Sequence, residues 1–172
     1  MEYSNKGLNF EEVNAFYDSV IDYLETAEFS PGWKKGIYPD EKMLRDAIEN
    51  KTLHVMTDGD KIISAAILDN NYVEGYEKVP WDKSVELSNS LLLHAFCVKP
   101  EYMKKGIAKR MLNYLENHAK EQGFNAIRLD VLDGNLPAFK LYPACGYNFV
   151  NSMQLYYEDT GLTLFHMFEK LL

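Results

Sequence analysis

Cysteine is scarce in this chain: two among 172 residues, Cys97 and Cys145, in no C-x-x-C arrangement. That spacing gives no basis for a disulfide framework or a zinc site, and no metal is expected. Cys97 lies in an apolar run and reads as a buried small hydrophobe. Long apolar runs are missing too. No stretch approaches the ~18 apolar residues of a membrane-spanning helix. The opening MEYSNKGLNFEE lacks the basic-then-apolar layout of a signal peptide, so a cytoplasmic location and no membrane partner are expected. Positive charge is in deficit, 18 Lys and Arg against 26 Asp and Glu, for a formal charge of -8. An acidic chain repels phosphate backbones, which argues against nucleic-acid binding. No internal repeat, low-complexity tract or linker is visible. A chain of 172 residues is short for two self-sufficient cores, so one domain over 1–172 is expected.

What is present is the ordinary mix of a soluble globular protein, 47% apolar and 26% charged. Twelve Tyr and nine Phe suit an aromatic core and pocket walls but name no ligand. The acidic surplus serves solubility, with attraction of a cationic substrate as the second reading.

Asn9 precedes Phe10-Glu11-Glu12 at capping-box spacing, and Phe10, Val13, Phe16, Tyr17, Val20 and Leu24 recur on one helical face, predicting a helix to about Thr26. Pro31, Gly32, Gly36 and Pro39 make the next stretch a loop. Asp40 caps a shorter helix with Met43, Leu44, Ala47 and Ile48 inward. Residues 52–57 and 61–68 flank Asp58-Gly59-Asp60, a strong hairpin signal. Residues 69–90 carry no period and read as a long loop whose aromatics pack in part. LLLHAFCV (91–98) predicts a strand buried on both faces. A helix follows from about Gly106 to Gly123, a strand over 125–131, a short helix from Leu136 to Ala144, and a last hairpin of strands 147–156 and 162–171 around residues 158–161. A first strand near Glu2–Tyr3 is barely visible.

Two segments carry chemistry. In Val98-Lys99-Pro100-Glu101-Tyr102-Met103-Lys104-Lys105-Gly106-Ile107-Ala108 a buried strand runs through a short loop into a helix. The unpaired N–H groups and the dipole of a helix start favour an anion such as a pyrophosphate. Gly106 permits close approach, and Lys104 and Lys105 add positive charge. The plainer reading is an ordinary loop with a solvated Lys pair. In the second segment, Asn135, Ala138 and Tyr142 are spaced by three and four residues and share one helical face. A tyrosine so placed is more often core than catalytic.

Together the segments resemble the GNAT superfamily of acetyl-CoA-dependent N-acetyltransferases. The family loop V-x-P-x-x-[QR]-x-x-G-x-[GA] reads here V-K-P-E-Y-M-K-K-G-I-A, and the later N-x-x-A-x-x-x-Y-x-x-x-G-[FY] reads NLPAFKLYPACGY. The resemblance is close over about residues 91–147, while the N-terminal half fits in element order. Met103 replaces the usual Gln or Arg, Lys104 stands where Gly is frequent, and Pro143 disfavours α conformation at Tyr142, so the helix is expected to end or bend there.

The resemblance implies an α/β (α+β) fold: a central mixed, mostly antiparallel sheet of about six to seven strands, splayed at the cofactor and flanked by about four helices. It implies acetyl-CoA as acyl donor, held by Phe96, Cys97 and Val98, by Met103, Lys104, Lys105, Gly106, Ile107 and Ala108, and by Asn135, Ala138 and Tyr142. An amine attacks the thioester directly, and Tyr142 protonates the departing thiolate. The base is an acid or His on the fourth strand in many relatives. His94 is the ionisable side chain of LLLHAFCV and suits the task by its ordinary pKa. A structural, buried His is the equal alternative, and a strand bulge would change which face it occupies. Asp82 and Glu86 are second choices, and His54, His118 and His166 have no comparable placement. Trp33, Tyr38, Tyr76 and Trp81 are candidate walls of an acceptor pocket, with simple packing favoured for at least half of them. Acceptors could be small amines, or a protein N-terminus or lysine. A CoA-binding module without turnover is the reading from another class. A homodimer is left open.

Overall fold

The computed structural model describes all residues 1–172. Seven strands run β1 (Glu2–Ser4), β2 (Leu53–Asp58), β3 (Lys61–Asp69), β4 (Ser90–Val98), β5 (Ala126–Leu132), β6 (Asn148–Tyr157) and β7 (Gly161–Leu171), with helices α1 (Phe10–Leu24), α2 (Glu41–Glu49), α3 (Ile107–Glu121) and α4 (Leu136–Ala144). The hydrogen-bonded strand order is β1-β2-β3-β4-β5-β7-β6. The β4–β5 pair is parallel, whereas β1–β2, β2–β3, β5–β7 and β6–β7 are antiparallel. This is the mixed α/β sheet with four helices that the motifs imply.

The chain forms two compact units, residues 1–68 with 94–114, and residues 69–93 with 115–172. In the first, Asn9 accepts from the Glu12 N–H at 3.0 Å and starts α1. Asp40 accepts from the Met43 N–H at 2.6 Å and starts α2. A side-chain acceptor there satisfies one of a helix's orphan donors. Val13, Phe16, Tyr17 and Val20 of α1 and Leu44 and Ala47 of α2 close on Leu53, Val55, Ala65 and Ile67 of the β2–β3 hairpin. Helix α1 ends at Leu24, two residues short of the expected Thr26.

In the second unit, residues 69–90 lack regular periodicity because short 3-10 turns at Tyr76–Lys78 and Leu87–Asn89 break them up. They are nonetheless anchored. Arg128, fully buried on β5, donates from Nε to Glu169 at 2.7 Å, from Nη1 to Ser90 Oγ at 2.8 Å and from Nη2 to the Val85 carbonyl at 2.9 Å. Glu169 in turn accepts from the Asp82 N–H at 3.0 Å. Pairing of β4 with β5 runs from Ser90↔Ala126 to Leu92↔Arg128, and from His94 onward β4 belongs to the first unit.

Candidate active site

β4 carries an unusual backbone just after His94. Ala95 has φ 45, the left-handed region, which costs an L-residue roughly 1–2 kcal/mol. Its main-chain groups are both taken by phenols. The Ala95 N–H donates to the Tyr38 hydroxyl at 3.2 Å, and the Tyr17 hydroxyl donates to the Ala95 carbonyl at 2.9 Å. Burial first, then the neighbouring Cys97 and Tyr38, hold the Tyr17 phenol well above its ordinary pKa, so it stays a donor. His94 itself is half-buried. Burial also pushes up the Cys97 thiol, which is therefore no nucleophile; its carbonyl accepts from Ser64 Oγ at 2.8 Å.

The strand leads into a 3-10 turn, Pro100–Tyr102, and then α3. The Tyr102 hydroxyl donates to Asp58 at 3.0 Å, and the Lys105 ammonium lies 5.4 Å from the centre of the Tyr102 ring. Lys104 has φ 58 and Gly106 φ 77. The left-handed backbone at 104 is one that glycine adopts without the Cβ penalty. A Cβ built on Gly106 would meet nothing within 4 Å, so the turn opens onto free space. Arg110 N–H reaches back to the Gly106 carbonyl at 3.1 Å. The amides of Ile107, Ala108 and Lys109 thus belong to the first helical turn, which has no intrahelical acceptor for them. With exposed Lys104 and Lys105 alongside, the turn suits an anionic group.

In the second unit, Asn135 caps α4, its Oδ1 accepting from the Ala138 N–H at 3.2 Å. The helix does not end at Tyr142: it runs through Pro143 to Ala144, and Cys145 N–H bonds the Leu141 carbonyl at 3.1 Å. Pro143 has no N–H, so the last turn lacks the bond that residue 143 would give to the Phe139 carbonyl. Tyr142 is buried, edge-on to Tyr147 at 5.5 Å and tilted on Phe168 at 6.0 Å. Burial, then the charge of Asp130, then Cys145 raise its pKa, so the phenol stays protonated at neutral pH. Asp130 itself was not singled out by the sequence. It accepts hydrogen bonds at Oδ2 from the Tyr76 hydroxyl and, at 2.8 Å, from the Tyr157 hydroxyl. The available signal was a lone acid inside the apolar alternation of NAIRLDV.

Two of the four expected pocket walls are core instead. Tyr76 is fully buried, and the Trp81 ring lies tilted with its centre 5.7 Å away and donates to the Tyr76 carbonyl at 2.9 Å. Their burial in a cluster with Leu92, Leu155 and Met167 follows from anchoring of the 69–90 segment. Trp33 and Tyr38, in the first unit, are half-buried with ring centres 5.5 Å apart. Asp82 is a poor base: Ser84, through its hydroxyl and then its N–H, holds the carboxylate below its ordinary pKa. Glu86 is exposed. His54 bonds Tyr114 at 3.2 Å, and His166 bridges Ser152 at 2.8 Å and Asp133 at 2.9 Å. No group of three or more His, Cys, Asp or Glu could hold a metal ion, and no helix is long and apolar enough to cross a membrane.

The fold is similar to that of a solved structure from Salmonella typhimurium, yncA with its cofactor acetyl-CoA, at TM-score 0.70 and 12% identity over 100% of this chain and 94% of that one. Among curated proteins, thialysine N-epsilon-acetyltransferase of Bos taurus is 34% identical over 74 residues, 43% of this chain and 44% of the relative. The [ribosomal protein bS18]-alanine N-acetyltransferase of Haemophilus ducreyi (strain 35000HP / ATCC 700724) is 28% identical over 93 residues, 54% of this chain and 64% of the relative. The chain thus spans 44% and 64% of the two curated relatives it matches. The sequence pattern that defines one family covers residues 18–147, from mid-α1 past Tyr142, and so takes in both chemistry-bearing segments. A match well beyond half the chain decides it: this chain belongs to the acetyltransferase (GNAT) family.

Proposed function

We propose that residues 1–172 act as one catalytic domain, an N-acetyltransferase that moves acetyl from acetyl-CoA to the primary amine of a small molecule by direct attack. The observation that carries this reading is the turn at 103–108. Two left-handed residues and an open Gly106 present first-turn amides beside two lysines, an arrangement fit for the diphosphate of CoA. Acetyl-CoA, when bound, supplies the activated acetyl thioester. Main chain at Phe96, Cys97 and Val98 is assigned to the pantetheine arm, and Met103 to Ala108 to the diphosphate.

A free alkylamine has a pKa of roughly 10.4, so only about one molecule in a thousand is neutral at pH 7. His94 is the group assigned to take the surplus proton. Tyr142 keeps its own proton at neutral pH, as a donor to a leaving thiolate must. Asn135 caps the helix that carries it. The names of the two curated relatives both describe acetylation at nitrogen, which favours an amine acceptor. The charge of -8 favours a cationic one, and half-buried Trp33 and Tyr38 offer aromatic surface for it. The setting proposed is the cytoplasm.

The test is release of free thiol from acetyl-CoA across a panel of alkylamines, polyamines, amino acids and short peptides. Turnover with a small amine is expected. Turnover confined to peptides would replace this reading with protein acetylation, and tight acetyl-CoA binding without thiol release would make the chain a binding module.

A further inference from the structure

Tyr17 lies on the buried face of α1 among Val13, Phe16 and Val20. Packing alone would be served there by phenylalanine. The hydroxyl is instead spent on the carbonyl of Ala95, and Tyr38, from the loop before α2, accepts the N–H of the same residue. Trp33 braces both rings, 6.4 Å from Tyr17 and 5.5 Å from Tyr38. A non-glycine residue at φ 45 inside a strand persists only where its surroundings hold it. Here the two peptide groups that would join a strand ladder are held from α1 and the following loop. Ala95 sits between His94 and the Phe96–Val98 main chain.

We infer that Tyr17 and Tyr38 are positioning residues, which preset the course of β4 so that the main chain at Phe96–Val98 is ready to receive the acetyl-CoA arm. Neither phenol touches the reacting atoms in this role. The inference rests on the assignment of β4 to the cofactor made above. It explains why two hydroxyls converge on one alanine.

The experiment is calorimetric titration of acetyl-CoA into the whole chain, wild type and variants, with circular dichroism to confirm folding. Tyr38→Phe and Tyr17→Phe should each weaken binding roughly tenfold, the scale of one neutral hydrogen bond. Glycine adopts positive φ without the Cβ penalty. Ala95→Gly placed in the Tyr38→Phe background should therefore recover most of the lost affinity. A packing defect would respond in the opposite way, since removing a methyl group only loosens the core. Wild-type affinity in the folded Phe variants, or a loss that Ala95→Gly fails to recover, overturns the inference. If the wild type binds no acetyl-CoA, the function proposed above falls and takes this with it. If the wild type binds and the Phe variants bind equally, the positioning role alone is lost.

Discussion

One oxygen atom separates Tyr142 from phenylalanine, and the proposed chemistry depends on it. The ring fills a buried site against Tyr147 and Phe168, so Tyr142→Phe should leave packing nearly intact. General acid steps contribute ~10²–10⁴-fold. A thiol leaving group of pKa near ~8.5 needs modest help, so a fall in turnover at the low end is expected. Affinity for acetyl-CoA should hold, because a contact made only in the transition state is removed. Because burial and Asp130 raise the Tyr142 pKa, no limb of the pH–rate profile near neutrality should belong to it. Steady-state kinetics beside a binding titration decide the matter; full turnover in Tyr142→Phe ends the acid role. Gly106 tests the proposed cofactor turn. Nothing lies within 4 Å of where its Cβ would stand, so Gly106→Trp can be accommodated apart from its strained φ, and its ring would fill the space assigned to the diphosphate. Loss of measurable acetyl-CoA binding in a folded variant is expected, and unchanged affinity would remove the anion site.

Among elements, the 69–90 segment owes its order to a side chain outside it. Arg128 and Glu169 form a buried ion pair whose remaining donors and acceptors reach Val85, Ser90 and Asp82. Removing one partner of such a pair strands the other charge and costs about 3–5 kcal/mol. Arg128→Met should therefore destabilise strongly in urea unfolding, and the Arg128→Met, Glu169→Leu double variant should be less destabilised than the single. A single variant within about 0.5 kcal/mol of wild type, the range of ordinary surface changes, would show that the segment is held by its aromatics alone.

Across the whole molecule, tyrosine makes stability sensitive to alkali. Burial is the leading cause holding the phenols of Tyr17, Tyr76, Tyr142 and Tyr147 above their ordinary pKa. In the unfolded chain they ionise near ~10. A raised folded pKa means that the folded form retains protons the unfolded form has lost. The stabilisation is thus fully present below about pH 10 and declines as pH rises toward the folded values. Urea unfolding should show a steady loss of stability as pH rises above about 10. A flat profile would mean that these phenols are not buried in solution.

Local signals were readable without coordinates. Asn9 and Asp40 announced their helices because a cap acts through the next three residues. The β2–β3 and β6–β7 hairpins followed from turn residues between apolar runs, and α4 fell at Leu136–Ala144 as its Pro137 suggested. The two motifs were legible for the same reason: a turn that presents amides, and a helix face, are set by residues adjacent in sequence. What coordinates alone decided involves residues far apart. Whether Tyr76 and Trp81 line a pocket or fill a core depended on Arg128, some fifty residues later. That Ala95 takes a left-handed φ within β4 went with hydroxyls from Tyr17 and Tyr38, because an alanine in an apolar strand carries no mark of a left-handed φ. Asp130 looked like one acid in a strand until Tyr76 and Tyr157 were seen to converge on it. A side chain's own sequence neighbours fix its element, but its environment, and so its charge and its use, comes from segments that only folding brings near.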